Sequence, residues 1–209
     1  MSIVLYHHPY SRAANVVWML EEVGVPSELR FVDLMKGEHK KPEFSALNPM
    51  GKLPVLVDGE TVVTESAAIA LYLADRYSAG ELAPHLEDPA RGTYLRWSLF
   101  APSVIEPGSM AKKNGWDVNQ GSAGWGAHDA MIEATRSALS RGPFLLGDTF
   151  SMADVVFGGT IRYMLRFGML EPQPLFADYV ARLEERPALK RAGEKNLEVV
   201  KERGLKMPG

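Results

Sequence analysis

The chain has 209 residues, 46% of them hydrophobic and 23% charged, enough for one large domain or two small ones with a real core. A net charge of -3 gives no basic bias toward nucleic acid, and no apolar run is long enough to span a bilayer. With no basic-then-apolar leader either, a soluble cytoplasmic protein is expected, and the absence of cysteine excludes disulfides, thiolate zinc sites and a protein-thiol nucleophile.

"SIVLYHH" (residues 2–8) is a short run of strand formers suited to a buried strand. In "SRAANVVWMLEEVG", Val16, Val17, Leu20 and Val23 recur at helical spacing and Gly24 is a natural stop. "SELRFVDL" reads as a second strand, and residues 40–47 as a short helix. "LPVLVDGETVV" reads as a hairpin turning at Asp58-Gly59, and "ESAAIALYLADRY" as a strong helix. This order of elements predicts a small α/β layer ending near Tyr77.

Residues 78–88, "SAGELAPHLED", mix Pro, Gly and charge without periodicity and read as a linker. Residues 89–209 then read as all-helical, through "ARGTYLRWSLFAPSVIEP", "AHDAMIEATRSALSR", "SMADVVFGGTIRYMLRF" and "LFADYVARLEERPALKRAGEK". Ser151 and Asp154 stand at capping-box spacing, with Asp in place of the usual Glu or Gln. The glycine-rich stretch between Pro107 and Ala127 is long for a connection between helices, and reads as a lid or as a surface loop.

Four positions invite chemistry. Pro54 stands where a strand begins, a place that loses no ladder donor; a cis bond to Leu53 would turn the Leu53 backbone toward a ligand's own peptide group. Glu65 and Ser66 open a helix, where an acid and a hydroxyl serve either as caps or as a holder for an α-amino-acid group. Ser11 likewise caps a helix or aims its hydroxyl at an anion. His7 and His8 are neighbours that face opposite ways on a strand, and with no third ligand in view no metal site is expected.

The combination resembles the cytosolic glutathione transferase superfamily over nearly the whole chain. "NPMGKLPVLVDG" followed by "TESAAIALYLADRY" is similar to its best-known signature. "GDTFSMADVVFGG" resembles its capping-box helix, and "YVARLEERPALKRA" its C-terminal helix. The resemblance implies an α/β plus all-α fold: a thioredoxin-like βαβαββα domain (1–77), the linker (78–88) and an all-helical domain (89–209). It implies that Pro54 is cis, that Leu53 pairs through its backbone with the cysteinyl part of glutathione, and that Glu65 and Ser66 hold the γ-glutamyl end. "KGEHKKPEF" and "MGKLP" resemble the theta-like and bacterial pattern, by which His39 and Lys52 would hold the glycine carboxylate.

For the catalytic residue the resemblance favours Ser11, with Tyr6 and Tyr10 as alternatives. Thiol-reductase classes use Cys here, and "PYSRAA" departs from the Ser-Ser-Cys type run of the maleylacetoacetate isomerase class. The implied activity is conjugation of the glutathione thiolate, glutathione being a co-substrate, to small apolar electrophiles, in detoxification. A non-catalytic binder on the same fold and a glutathione peroxidase are the alternatives. The apolar substrate would lie between the domains, with Tyr10, Trp97, Ala101, Val104, Met110, Met164 and Phe167 as candidates for its wall; for each of them ordinary core is the competing role. A homodimer is implied, and no nucleic-acid or membrane partner is expected.

Overall fold

The computed structural model describes residues 3–206. Ser2, the first residue of the expected opening strand, and the outermost residues of the two expected domains lie outside the described residues.

The first part of the chain runs β1 (Ile3–His7), α1 (Ala13–Val23), β2 (Ser27–Phe31), a 3₁₀ turn (Glu38–Lys40), α2 (Pro42–Ser45), β3 (Val55–Asp58), β4 (Thr61–Thr64) and α3 (Ser66–Tyr77). The sheet order is β2-β1-β3-β4; β1 and β2 are parallel and the other two pairs antiparallel. This is the thioredoxin-like arrangement.

Strand periodicity sorts the two faces. Ile3, Leu5 and His7 are buried, while Val4 and Tyr6 are half-buried. Buried Val16, Val17 and Leu20 of α1, with Ile69 and Leu73 of α3, supply the main apolar layer, each such side chain worth about 1.5–3 kcal/mol. A smaller cluster joins Val32, Phe44 and Val55 to Tyr6, Leu34, Leu47, Leu53 and Val57. Gly24 closes α1 at φ 69, donating its N–H to the Leu20 carbonyl. The hairpin turns one residue later than the dipeptide rule suggests. Asp58 still pairs with Thr61, so Gly59 (φ 61) and Glu60 form the turn. The Asp58 carboxylate instead accepts from the Tyr72 and Tyr77 hydroxyls.

Residues 78–185 form a second compact unit, and 186–209 group with 1–77. The second unit holds α4 (Ala90–Phe100), a π-helical turn (Ala101–Ile105), α5 (Glu106–Lys113), α6 (His128–Leu139), α7 (Met152–Arg166) and α8 (Pro174–Glu184). Helix α9 (Pro187–Arg203) packs on α1 in the first unit. The last helical segment read from the sequence is thus two helices. Pro187, which cannot donate to a preceding turn, starts the second.

The glycine-rich connection is shorter than expected. Pro107 and Gly108 lie inside α5, which continues the π-helical turn without a break. A side chain at Gly108 would meet the Trp125 ring at 3.3 Å, so Trp125 packs directly on the helix, while Trp116 is exposed. The capping box at Ser151 forms. Asp154 is buried and accepts from the Leu145 and Ser151 N–H groups, the Ser151 hydroxyl and the Tyr179 hydroxyl. Burial pushes its carboxyl up, against these four bonds that favour the charge.

Candidate active site

Register brings the predicted residues to one end of the sheet. Tyr6 pairs with Val55, and Val55 with Thr64. The loop after β1, the residues before β3 and the residues after β4 therefore lie side by side. That places the Ser11 loop, Leu53–Pro54 and Glu65–Ser66 together.

The Leu53–Pro54 bond is cis, as the resemblance implies. Among the described residues the Leu53 N–H and C=O make no hydrogen bond. Glu65 is the one non-glycine with positive φ among the described residues, at 65°, in the region that L side chains rarely adopt. Its side chain is exposed. Neither the Glu65 carboxylate nor the Ser66 hydroxyl makes a hydrogen bond or ion pair among the described residues, so neither side chain caps α3.

His39 and Lys52 come from separate loops that touch. Buried Asn48 shapes the second loop: its Nδ2 donates to the Lys52 carbonyl at 2.9 Å and its Oδ1 accepts the Met50 N–H at 3.1 Å. Gly51, at φ 58, passes so close to His39 that an added Cβ would stand 3.0 Å from the His39 carbonyl oxygen. The His39 Nδ1 is buried without a partner. Asn48 was missed as a working residue, although an Asn-Pro pair is a recognisable turn former.

Ser11 is half-buried at the start of α1. Its Oγ donates to the His8 carbonyl at 2.8 Å and accepts the Ala13 N–H at 3.2 Å, so the hydroxyl serves as a cap in this state. The Tyr10 N–H donates to the His8 Nδ1 at 3.2 Å, and the two rings stand 5.8 Å apart. Burial lowers the His8 pKa, against the pull of Asp33, which suits a neutral, accepting Nδ1. Tyr6 is elsewhere. Its hydroxyl accepts from Arg30 Nη1 at 3.1 Å and its ring meets the edge of Phe44, on the face opposite that of His7.

His7 turns inward, its Nε2 2.7 Å from Asn196 Oδ1. Among the described residues no group of three or more His, Asp or Glu is placed to hold a metal ion. In the helical unit, Trp97, Ala101 and Met164 are buried as core, with Trp97 packed on Phe100 and Phe157. Val104, Met110 and Phe167 are half-buried, and Phe167 lies against Tyr163.

A thioredoxin-like sheet with an unsatisfied amino-acid-sized set of groups at one end, in a chain that continues into helices, defines the class. Comparison with known proteins gives the family. Residues 1–75 match the family model described as "Glutathione S-transferase, N-terminal domain", and 129–195 the one described as "Glutathione S-transferase, C-terminal domain". Human glutathione S-transferase theta-2 is 44% identical over 207 residues, covering 88% of this chain and 81% of its own. Glutathione S-transferase A of Pleuronectes platessa is 30% identical over 200 residues, covering 84% of each chain. Among solved structures, the glutathione transferase URE2P6 of Phanerochaete chrysosporium, in complex with oxidized glutathione, is 28% identical, with a TM-score of 0.75 over 95% of this chain and 97% of that one. The chain belongs to the glutathione S-transferase family and is a glutathione transferase.

Proposed function

We propose that the enzyme conjugates the thiolate of glutathione to small apolar electrophiles. The observation that carries this reading is the set of unpaired groups in register at one sheet end: the Leu53 backbone, the Glu65 carboxylate and the Ser66 hydroxyl. An extended tripeptide with an α-amino-acid head offers the matching partners. Glu65 holds the γ-glutamyl ammonium, and Ser66 with the start of α3 holds its carboxylate. Leu53 pairs with the cysteinyl peptide group, and His39 and Lys52 hold the glycine carboxylate.

Ser11 stabilises the thiolate. A free thiol titrates near 8.5. A hydrogen bond to a charged acceptor supplies about 1.5–3 kcal/mol and the helix start about 0.3–1. Swinging the O–H away from the His8 carbonyl returns about 0.5–1.5. The net is about 2 kcal/mol, which brings the bound thiol to about pH 7 and leaves half of it ionised there. The half-buried Val104, Met110 and Phe167 of the helical unit are assigned to the apolar substrate.

The family resemblance supports a homodimer acting in detoxification, with 1–77 as the glutathione-holding part. No helix among the described residues is long and apolar enough to cross a membrane, which is compatible with a cytoplasmic enzyme. The test is conjugation against a panel of apolar electrophiles and a peroxide, with pH–rate profiles for Ser11→Ala and Tyr6→Phe. Ser11→Ala should raise the thiol pKa by about one unit, the bond to sulfur less the bond to His8 given up for it, and cut the neutral-pH rate about five-fold, with recovery at high pH. A shift with Tyr6→Phe and none with Ser11→Ala would move the role to Tyr6.

A further inference from the structure

We propose that Asn196, near the end of the chain, is a positioning residue for the loop that carries Ser11. The inference rests on the Ser11 reading above. Residues 8–12 form a short loop between β1 and α1, and Asn196 holds both of its ends. Its Oδ1 stands 2.7 Å from the Nε2 of His7, the last residue of β1. Its Nδ2 donates to the carbonyl of Ala14, in the first turn of α1, at 3.3 Å. A further bond, 2.8 Å to the Ala192 carbonyl, fixes which way the amide faces. His7 Nε2 is therefore the donor, and burial holds the ring neutral, with a pKa near 4.

Within that frame the loop is also bonded to itself. Ser11 bonds to the His8 carbonyl through both its N–H and its Oγ, and Tyr10 bonds to the His8 ring. A change in the His7-to-Ala14 span thus moves Ser11 as part of a rigid turn. Helix α9 also reaches the end of β2 that borders the loop. The Arg203 guanidinium lies 4.9 Å over the Phe31 ring, which stands 5.4 Å from the His8 ring.

Docking of α9 does not depend on Asn196. Arg186 bonds to Glu22 through two nitrogens, at 2.6 and 2.8 Å, and Glu21 meets both Arg191 and Lys195. These bonds hold the helix when Asn196 is changed. Lys195, one residue away and, among the described residues, bonded only to Glu21, is a matched control for loss of docking.

The experiment reads the absorbance of glutathione thiolate bound to the whole protein, titrated with pH, for Asn196→Ala, Ser11→Ala, their double variant and Lys195→Met, together with the affinity for glutathione. Asn196→Ala should lower the thiolate fraction at neutral pH about two- to five-fold, no more than Ser11→Ala does, with affinity at acid pH changed less than about two-fold. The double variant should be no worse than Ser11→Ala alone, since one residue acts through the other. Lys195→Met should not move the thiol pKa. If Asn196→Ala does not fold, Asn196→Asp, which keeps the acceptor for His7 and loses the donor to Ala14, is read in the same way. A shift with Ser11→Ala and none with Asn196→Ala overturns this proposal alone, as do additive effects in the double variant or an equal shift with Lys195→Met. No shift with Ser11→Ala overturns the Ser11 reading, and this proposal with it.

Discussion

Glu65 separates a ligand-holding role from a structural one, because the two predict opposite effects on stability. Its φ of 65° costs about 1–2 kcal/mol relative to a right-handed residue. Its carboxylate recovers none of that inside the protein among the described residues. Glu65→Gly removes this strain and restores about 0.5–1 kcal/mol of unfolded-chain entropy cost, for a net gain of about 0–1.5 kcal/mol. In a chain of this length that is a rise of up to about 6 °C in the midpoint measured without ligand. In the proposed ligand-holding role the same change removes a charge-assisted bond to the γ-glutamyl ammonium worth about 1.5–3 kcal/mol, so glutathione affinity should fall about ten- to hundred-fold. Glu65→Gln keeps the backbone strain and the side-chain length, and should leave the midpoint within about 2 °C while weakening affinity to a similar degree. Calorimetric titration with glutathione at acid pH, where the thiol is neutral, isolates the ammonium contact from the sulfur. A lower midpoint for Glu65→Gly with unchanged affinity would show that the side chain supports α3, and the ligand-holding role would be refuted.

Two further predictions concern buried groups. The His7 pKa lies near 4 when folded against 6.5 when free. Between these values the unfolded chain binds a proton that the folded chain refuses, so stability falls as pH drops from 6.5 to 4, by about 3 kcal/mol. His7→Gln should flatten that part of the urea-midpoint curve; an unchanged slope would place the titration elsewhere. Asp154→Ala leaves the Leu145 and Ser151 N–H groups and the Tyr179 hydroxyl buried without an acceptor, at about 1–3 kcal/mol each. The melting midpoint should fall by about 6 °C or more, and a drop under about 2 °C would show that water or a neighbour takes over.

The parts of the fold legible in the sequence are those set by neighbours along the chain. Gly24, the capping box at Ser151 and the hairpin each depend on a few consecutive residues, and strand alternation already puts Tyr6 and His7 on opposite faces. The destination of α9 was not legible. Its periodicity marks one face for burial, but the partners that choose the surface, Glu21 and Glu22, lie more than 160 positions away. The bond between His7 and Asn196 spans 189 positions and leaves no local trace. Glu65 is a different case. "TES" reads as an ordinary helix start, and side-chain chemistry alone favours capping. What separates the readings is the backbone. A capping residue takes an extended conformation and turns its side chain to the first N–H groups, whereas a residue at φ 65° turns away from them. Glycine would adopt that conformation at no steric cost. A glutamate held there, exposed and unpaired among the described residues, is what the proposed role, a partner for a cation that arrives with the ligand, would account for.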